Sequence, residues 1–307
     1  VKKFLEITLR ILLAAAFIVS ALLKLFPIEP FELSLVEFGL AGWSSTAVMA
    51  RIVIGAEFLL GGLLLSGIKL HRLAIPAASL LLVLFTIHLL IQLVRQGNQH
   101  DCGCFGVYLP MSPVESLVKN LILLSLLLLL MKVSTNRGYR FQNPLAIVLA
   151  VISFSLPFIV NPVAWAHRSH LQPESVNWKL PQDLILEQNE FGAPEINLFA
   201  GRHIVSFVTL NCMHCRQAAL KIHVINQRHP EVSFFFFING KDERMQDFFS
   251  VTKTENIPHL KMNAVPFSKL TGGIWPQIWW VEDGVVVKKS TYLSLNEEQL
   301  LGWWNEP

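Results

Sequence analysis

The first half of the chain carries its apolar residues in long runs broken by short polar loops. Five runs stand out, at residues 5–26, 45–66, 73–94, 113–131 and 145–160. A helix needs about 20 predominantly apolar residues to cross a bilayer, so each run predicts a transmembrane helix. The first run has no Ala-x-Ala-type exit and reads as a span rather than a cleaved signal. The fourth has a marked start. Ser112 is placed to cap, Pro113 suits the first helical position, and Glu115 completes a capping box. The fifth is short, and Pro157 predicts a kink in it.

From Glu195 onward the pattern becomes that of alternating strands and helices. Residues 203–209 and 232–238 predict buried strands, and residues 212–229 and 242–251 predict helices. Pro276 precedes a further strand at 277–281, and Asp283-Gly284 predicts a tight hairpin into 285–289. Ser294, with Glu297 three residues on, predicts the cap of a last helix. Residues 162–194, mixed and rich in Pro, Asn and Gln, read as a linker plus the first strand region. The expected architecture is an α-helical transmembrane bundle over residues 1–162, a linker over 163–184 and an α/β domain over 185–307.

Composition supports that division. Charged residues make up 15% of the chain, against about 25% in a typical soluble domain. The net charge of +3 is diffuse and no basic stripe carries interleaved aromatics, which argues against a nucleic-acid partner. Basic residues are placed unevenly. Lys2, Lys3, Lys69, Arg72, Lys132, Arg137 and Arg140 fall in alternate loops, while the opposite loops hold only Arg95. The positive-inside rule then predicts a cytoplasmic N-terminus. An odd number of spans sends the C-terminal domain to the other, extracytoplasmic side.

Polar residues within the spans are costly and often functional. Lys24, Arg51 and Lys119 lie near the outer ends of their runs, where they are expected to snorkel. Glu57 and His88 lie deeper. Glu57 is a candidate proton or quinone group, or a structural partner of Lys24 or Arg51. His88 is a candidate for the same role, or a packing histidine held by a hydrogen bond.

Four cysteines stand in two close pairs. Cys102 and Cys104 lie in Gln99-His100-Asp101-Cys102-Gly103-Cys104-Phe105-Gly106, a loop on the predicted outer side. Gly103 permits the bend that a disulfide between near neighbours requires, and a strained ring is easily reduced. A Cys-x-Cys pair also suits a soft metal such as Cu(I), and an inert disulfide is a third reading. Spans with Cys-Gly-Cys-Phe-Gly after the third, Lys24-Leu25 closing the first, and Glu57 with Gly61 in the second resemble the methylamine-utilisation MauE proteins and their DoxX-like relatives. The resemblance covers about residues 1–133. It implies a four-helix core, extended here by a fifth span, in a redox-associated bacterial inner-membrane protein.

Cys212 and Cys215 lie in Asn-Cys-Met-His-Cys, where a strand gives way to a helix. A helix N-terminus stabilises a thiolate through its dipole and free N–H groups. Cys212 is therefore the expected attacking thiol, and Cys215, one turn further in, the resolving one. His214 offers a positive charge beside them. A zinc pair is the alternative, but His203 and His223 have poor spacing for a site, and no metal is expected. The order strand, Cys-x-x-Cys helix, strand, helix, Pro, hairpin, helix resembles the thioredoxin-like superfamily over about residues 185–307. That resemblance implies that Pro276 is a cis-proline facing the dithiol. Met213-His214 between the cysteines is similar to the DsbA type. The strand before the motif lacks the buried acid of thioredoxins. His167, His170 and His259 read as surface residues, and Trp275 is expected to line a partner groove.

These readings converge on a membrane thiol–disulfide oxidoreductase. Extracytoplasmic thiol proteins, the Cys212/Cys215 pair and the Cys102/Cys104 pair would exchange electrons, with disulfide formation the expected direction. A membrane quinone is the candidate carrier by analogy with disulfide-forming membrane oxidases, although no quinone motif is legible. A reductive relay and a soft-metal assembly factor are the alternatives.

Overall fold

The computed structural model describes residues 2–37, 39–43, 45–98, 111–134, 142–163, 172–187 and 190–306. The chain divides into two units, residues 1–163 and 164–307.

Five helices of the first unit are long and apolar enough to cross a membrane. They are α1 (Lys2–Leu25), α3 (Thr46–Ser66), α4 (Ile75–Gln96), α5 (Pro113–Val133) and α6 (Gln142–Val160). A short helix not expected from the sequence, α2 (Glu29–Glu37), occupies the loop between α1 and α3. A π-helical turn at Leu70–Ala74 leads into α4. The start of α5 is a complete capping box. Ser112 Oγ accepts from the Glu115 N–H, and the Glu115 carboxylate accepts from the Ser112 N–H at 2.8 Å.

Close packing of α1, α3 and α6 depends on glycine. A Cβ at Gly61 would lie 2.6 Å from Ile18 Cγ1 and 3.3 Å from the Ala14 carbonyl oxygen of α1. One at Gly55 would lie 2.7 Å from Phe154 Cδ1 of α6. Hydrogen bonds tie the two ends of the bundle. Arg10 of α1 donates to the Leu64 and Leu65 carbonyls at the end of α3, and His71 Nε2 lies 3.1 Å from the Ser134 carbonyl after α5. At the opposite end Asn161, after α6, donates to the Leu25 carbonyl. The chain therefore leaves the bundle at the end opposite its start.

The second unit is built on a sheet of six strands in the order β1-β6-β5-β2-β3-β4. The strands are β1 (Glu174–Lys179), β2 (Arg202–Thr209), β3 (Phe234–Asn239), β4 (His259–Lys261), β5 (Gln277–Glu282) and β6 (Val285–Ser290). β2 pairs parallel with β3 and antiparallel with β5. These three are central and buried on both faces, which explains their near-continuous apolar runs, broken only by Ser206 in β2. Alternate residues serve opposite layers. Val205, Phe207, Phe235, Phe237 and Trp279 pack with Phe267 on one face. On the other, Trp280 meets Trp303, with ring centroids 5.3 Å apart. The helices are α7 (Met213–Arg228), α8 (Met245–Thr252), α9 (Ala264–Thr271) and α10 (Glu297–Trp304).

The β5–β6 turn has positive φ at both Asp283 and Gly284, as a type I′ hairpin requires. Three expectations change. β1 starts at Glu174, inside the segment expected as linker, and pairs with β6. Helix α9, interrupted in sequence by Pro266, and the short β4 were not expected. The last helix is capped by Asn296, whose Oδ1 accepts from the Gln299 N–H at 3.0 Å, and not by Ser294. Ser294 Oγ instead accepts from the Thr291 N–H and closes the preceding turn.

The architecture is a bundle of five span-length apolar helices followed by an α/β unit with a mixed six-stranded sheet, as the helical-bundle and α/β expectations require.

Candidate functional sites

The dithiol is made by the junction of β2 and α7. Thr209 ends the strand, and its carbonyl accepts from the Cys212 N–H at 3.3 Å, turning the chain into the helix. Cys212 is the N-cap in an extended conformation, with its Sγ accepting from the Cys215 N–H at 3.4 Å. Cys212 is partly exposed, whereas Cys215 is fully buried, and both are free thiols. Burial pushes the Cys215 thiol well above the usual thiol range, and the Thr209 N–H donating to its Sγ at 3.3 Å offsets only part of that. One sulfur is reachable and the other is held protonated behind it.

The Trp275–Pro276 peptide is cis. Gln277 pairs with Phe207, so Pro276 lies at the end of the sheet from which Thr209 leads to Cys212. Met213, Ile274 and Trp275 are exposed apolar residues. His214 is exposed, and its ring stacks on Tyr292 with centroids 5.5 Å apart. Among the described residues no hydrogen bond joins it to Cys212. His203 is engaged by Ser233 and the Ala200 carbonyl, each at 2.8 Å, and His259 by the Ile257 carbonyl. Among the described residues no group of three His, Cys, Asp or Glu side chains is placed to hold a metal ion. Cys102, Cys104 and His100, with His167 and His170, lie outside the described residues.

The helical unit holds a second polar cluster. Lys24 and Glu57 form a buried ion pair, Nζ to Oε1 2.6 Å, and Lys24 also donates to Ser20 Oγ at 2.7 Å. Arg51 pairs separately with Glu32 of α2 at 2.6 Å. The expectation that Lys24 and Arg51 snorkel is therefore corrected. They are 2% and 3% exposed, because each finds a carboxylate inside the protein and needs no water. A cavity of about 410 Å³ adjoins the first pair, and Glu57, His88, Lys24 and Lys119 all contribute to its wall. The two deep residues singled out in the sequence are thus brought to one space. Ser20 and Glu32 were missed. Only the acidity of the loop after the first span hinted at Glu32, and nothing in the sequence marked Ser20.

Comparison with known proteins follows the same division. Residues 2–133 match the family model of the methylamine utilisation protein MauE. Over most of its length the chain is similar to Protein TlpB of Flavobacterium psychrophilum, 28% identical over 339 aligned positions covering 93% of this chain and 90% of that one. Solved structures similar to part of the chain include a secreted disulfide oxidoreductase of Mycobacterium tuberculosis homologous to E. coli DsbE. It is 21% identical, with a TM-score of 0.28, and the match covers 34% of this chain and 81% of that one. Another is the thioredoxin domain of a thiol-disulfide oxidoreductase from Bacteroides vulgatus, 12% identical, TM-score 0.30, covering 35% and 82%.

Proposed function

We propose that this multi-pass membrane protein is a thiol–disulfide oxidoreductase whose Cys212/Cys215 pair exchanges with extracytoplasmic protein thiols. The observation that carries the reading is the asymmetry of the pair, a reachable sulfur on a helix N-terminus with a buried thiol one turn behind it. In oxidation, a substrate thiolate attacks Cys212 Sγ of the oxidised pair. One S–S bond forms, the Cys212–Cys215 bond breaks, and the Cys215 sulfur leaves and takes up a proton. A second substrate thiolate then attacks the first substrate sulfur and releases Cys212. Burial of Cys215 favours its protonated state once the sulfur has left. The exposed Met213, Ile274 and Trp275 offer an apolar rim to a partner chain.

We further place the Cys102/Cys104 pair next in the relay, receiving the electrons that substrates deliver. The MauE match over residues 2–133 spans the segment that carries this pair. The basic residues Lys2, Lys3, Lys69, Arg72 and Lys132 gather at one end of the bundle, which supports a cytoplasmic start and an extracytoplasmic second unit.

The test is to trap intermediates. A Cys215→Ala variant is expected to accumulate mixed disulfides through Cys212, and Cys212→Ala to accumulate none. No adducts in either variant, with copper bound stoichiometrically, would establish the soft-metal reading instead. The reduction potentials of the two pairs test direction. Each 30 mV by which Cys102/Cys104 is the more oxidising pair favours the inward flow about tenfold. The opposite order would make the relay reductive. A reporter fused after Pro307 that works only in the cytoplasm would refute the topology.

A further inference from the structure

The cavity in the helical unit holds chemistry that the Cys212/Cys215 dithiol does not use. Its volume, about 410 Å³, falls within the range of small-molecule sites, roughly 300–1,000 Å³. Its wall is mainly apolar and includes three aromatic rings, Phe17, Phe31 and Phe85. Leu84, Ile87 and Ile91 also line it, and all three are exposed along one face of α4. On a membrane-spanning helix such a face meets lipid, so the cavity opens sideways into the bilayer.

Its polar end is unfinished. Glu57 is 2% exposed, and its Oε2 has no hydrogen-bond partner among the described residues. An unpaired buried carboxylate oxygen is costly, and the cost vanishes when a donor arrives. Beside it, the Lys24 ammonium spends two of its three N–H groups on Ser20 and Glu57 and lies 5.2 and 5.5 Å from the centroids of Phe85 and Phe31. His88 and Lys119 of the wall are engaged by other groups. The site therefore presents one vacant acceptor and one spare donor side by side, on a pair whose charges already cancel. A hydrocarbon chain alone would leave Oε2 unsatisfied, and an anion would face that carboxylate.

We propose that this cavity binds the ring of a lipophilic quinol or quinone, with a ring oxygen at Lys24 and Glu57 and the tail leaving past Leu84, Ile87 and Ile91. A quinol hydroxyl donates to Glu57 Oε2. A quinone carbonyl accepts from Lys24 Nζ. The aromatic walls suit a flat ring. A quinone supplies the two-electron, two-proton acceptor that conversion of a dithiol to a disulfide requires. Relevance to electron flow rests on the oxidoreductase reading, whereas binding does not.

Binding is tested on the full chain in lipid nanodiscs. A photoreactive azidoquinone is expected to label residues within 16–24, 31–40, 49–57, 81–91 or 119–123 of the unaltered protein, and decylubiquinol to displace it. Label found elsewhere, or displacement by decanol at equal concentration, overturns the proposal. Glu57→Gln is expected to weaken decylubiquinol binding about tenfold or more, since hydrogen bonds to charged groups contribute at least that factor. Ala16→Phe, which fills the cavity and leaves the Lys24–Glu57 pair in place, is expected to abolish labelling. Unchanged affinity in both variants overturns it as well. Trapping of mixed disulfides at Cys212 is a separate readout, so failure of the quinone site and failure of the thiol chemistry are distinguished.

Discussion

Removing the Cys215 thiol is expected to flatten the alkaline fall in stability of the reduced second unit. The buried thiol ionises less readily folded than unfolded, because burial raises it. In the unfolded chain it titrates near 8.5. Above that pH the unfolded state loses this proton while the folded state keeps it. The folded state then binds more protons, and the free energy of unfolding decreases as pH rises. The limiting slope is about 1.36 kcal/mol per pH unit for one group. At pH 10, about 1.5 units above the unfolded value, the loss attributable to Cys215 is about 2 kcal/mol. The assay is urea denaturation of residues 164–307 under reducing conditions between pH 7 and pH 10, for the native sequence and for Cys215→Ala. Truncation lowers stability at every pH, so the informative quantity is the difference in slope. Parallel curves for the two proteins would show that Cys215 is not held protonated by the fold, and the account of its role would fall with them.

Three further outcomes follow from the packing. Lys24→Met leaves Glu57 buried without its partner and should cost about 3–5 kcal/mol, while Lys24→Met with Glu57→Leu should recover most of it; additive losses in a thermal-unfolding cycle in detergent would contradict a 2.6 Å pair. Gly61→Ala forces a Cβ against Ile18 and should destabilise the bundle by about 1–3 kcal/mol in the same assay, with no effect on the second unit. Asn296→Ala should cost about 1 kcal/mol by denaturation of residues 164–307. An equal or larger loss from Ser294→Ala would return the cap to Ser294.

Local signals in the sequence read well because their causes are local. A capping box spans four residues, Ser112 to Glu115, and its geometry follows from that stretch alone. The hairpin at Asp283-Gly284 is set by two positive φ angles that these residues accept. The five spans agree with the helices to within about three residues at most ends, because length and apolarity define them. Where the reading missed, a distant partner decided. β1 is a strand because β6 offers it an edge more than 100 residues away. Ser294 and Asn296 both suit a cap, and the Thr291–Ser294 turn leaves the role to Asn296.

The sequence alone determined the change from span-length apolar helices to an α/β pattern, the thiol motif and its place at a helix start. Tertiary structure alone decided what the polar residues of the spans do. Lys24 and Glu57 are 33 residues apart on different helices, and no periodicity links them. Only the approach of α1 to α3, which Gly61 permits, sets ammonium against carboxylate. The same approach buries Glu57 Oε2 at the wall of a cavity without a partner. Charge in a low-dielectric interior is defined by its neighbours, and neighbours are a property of the fold.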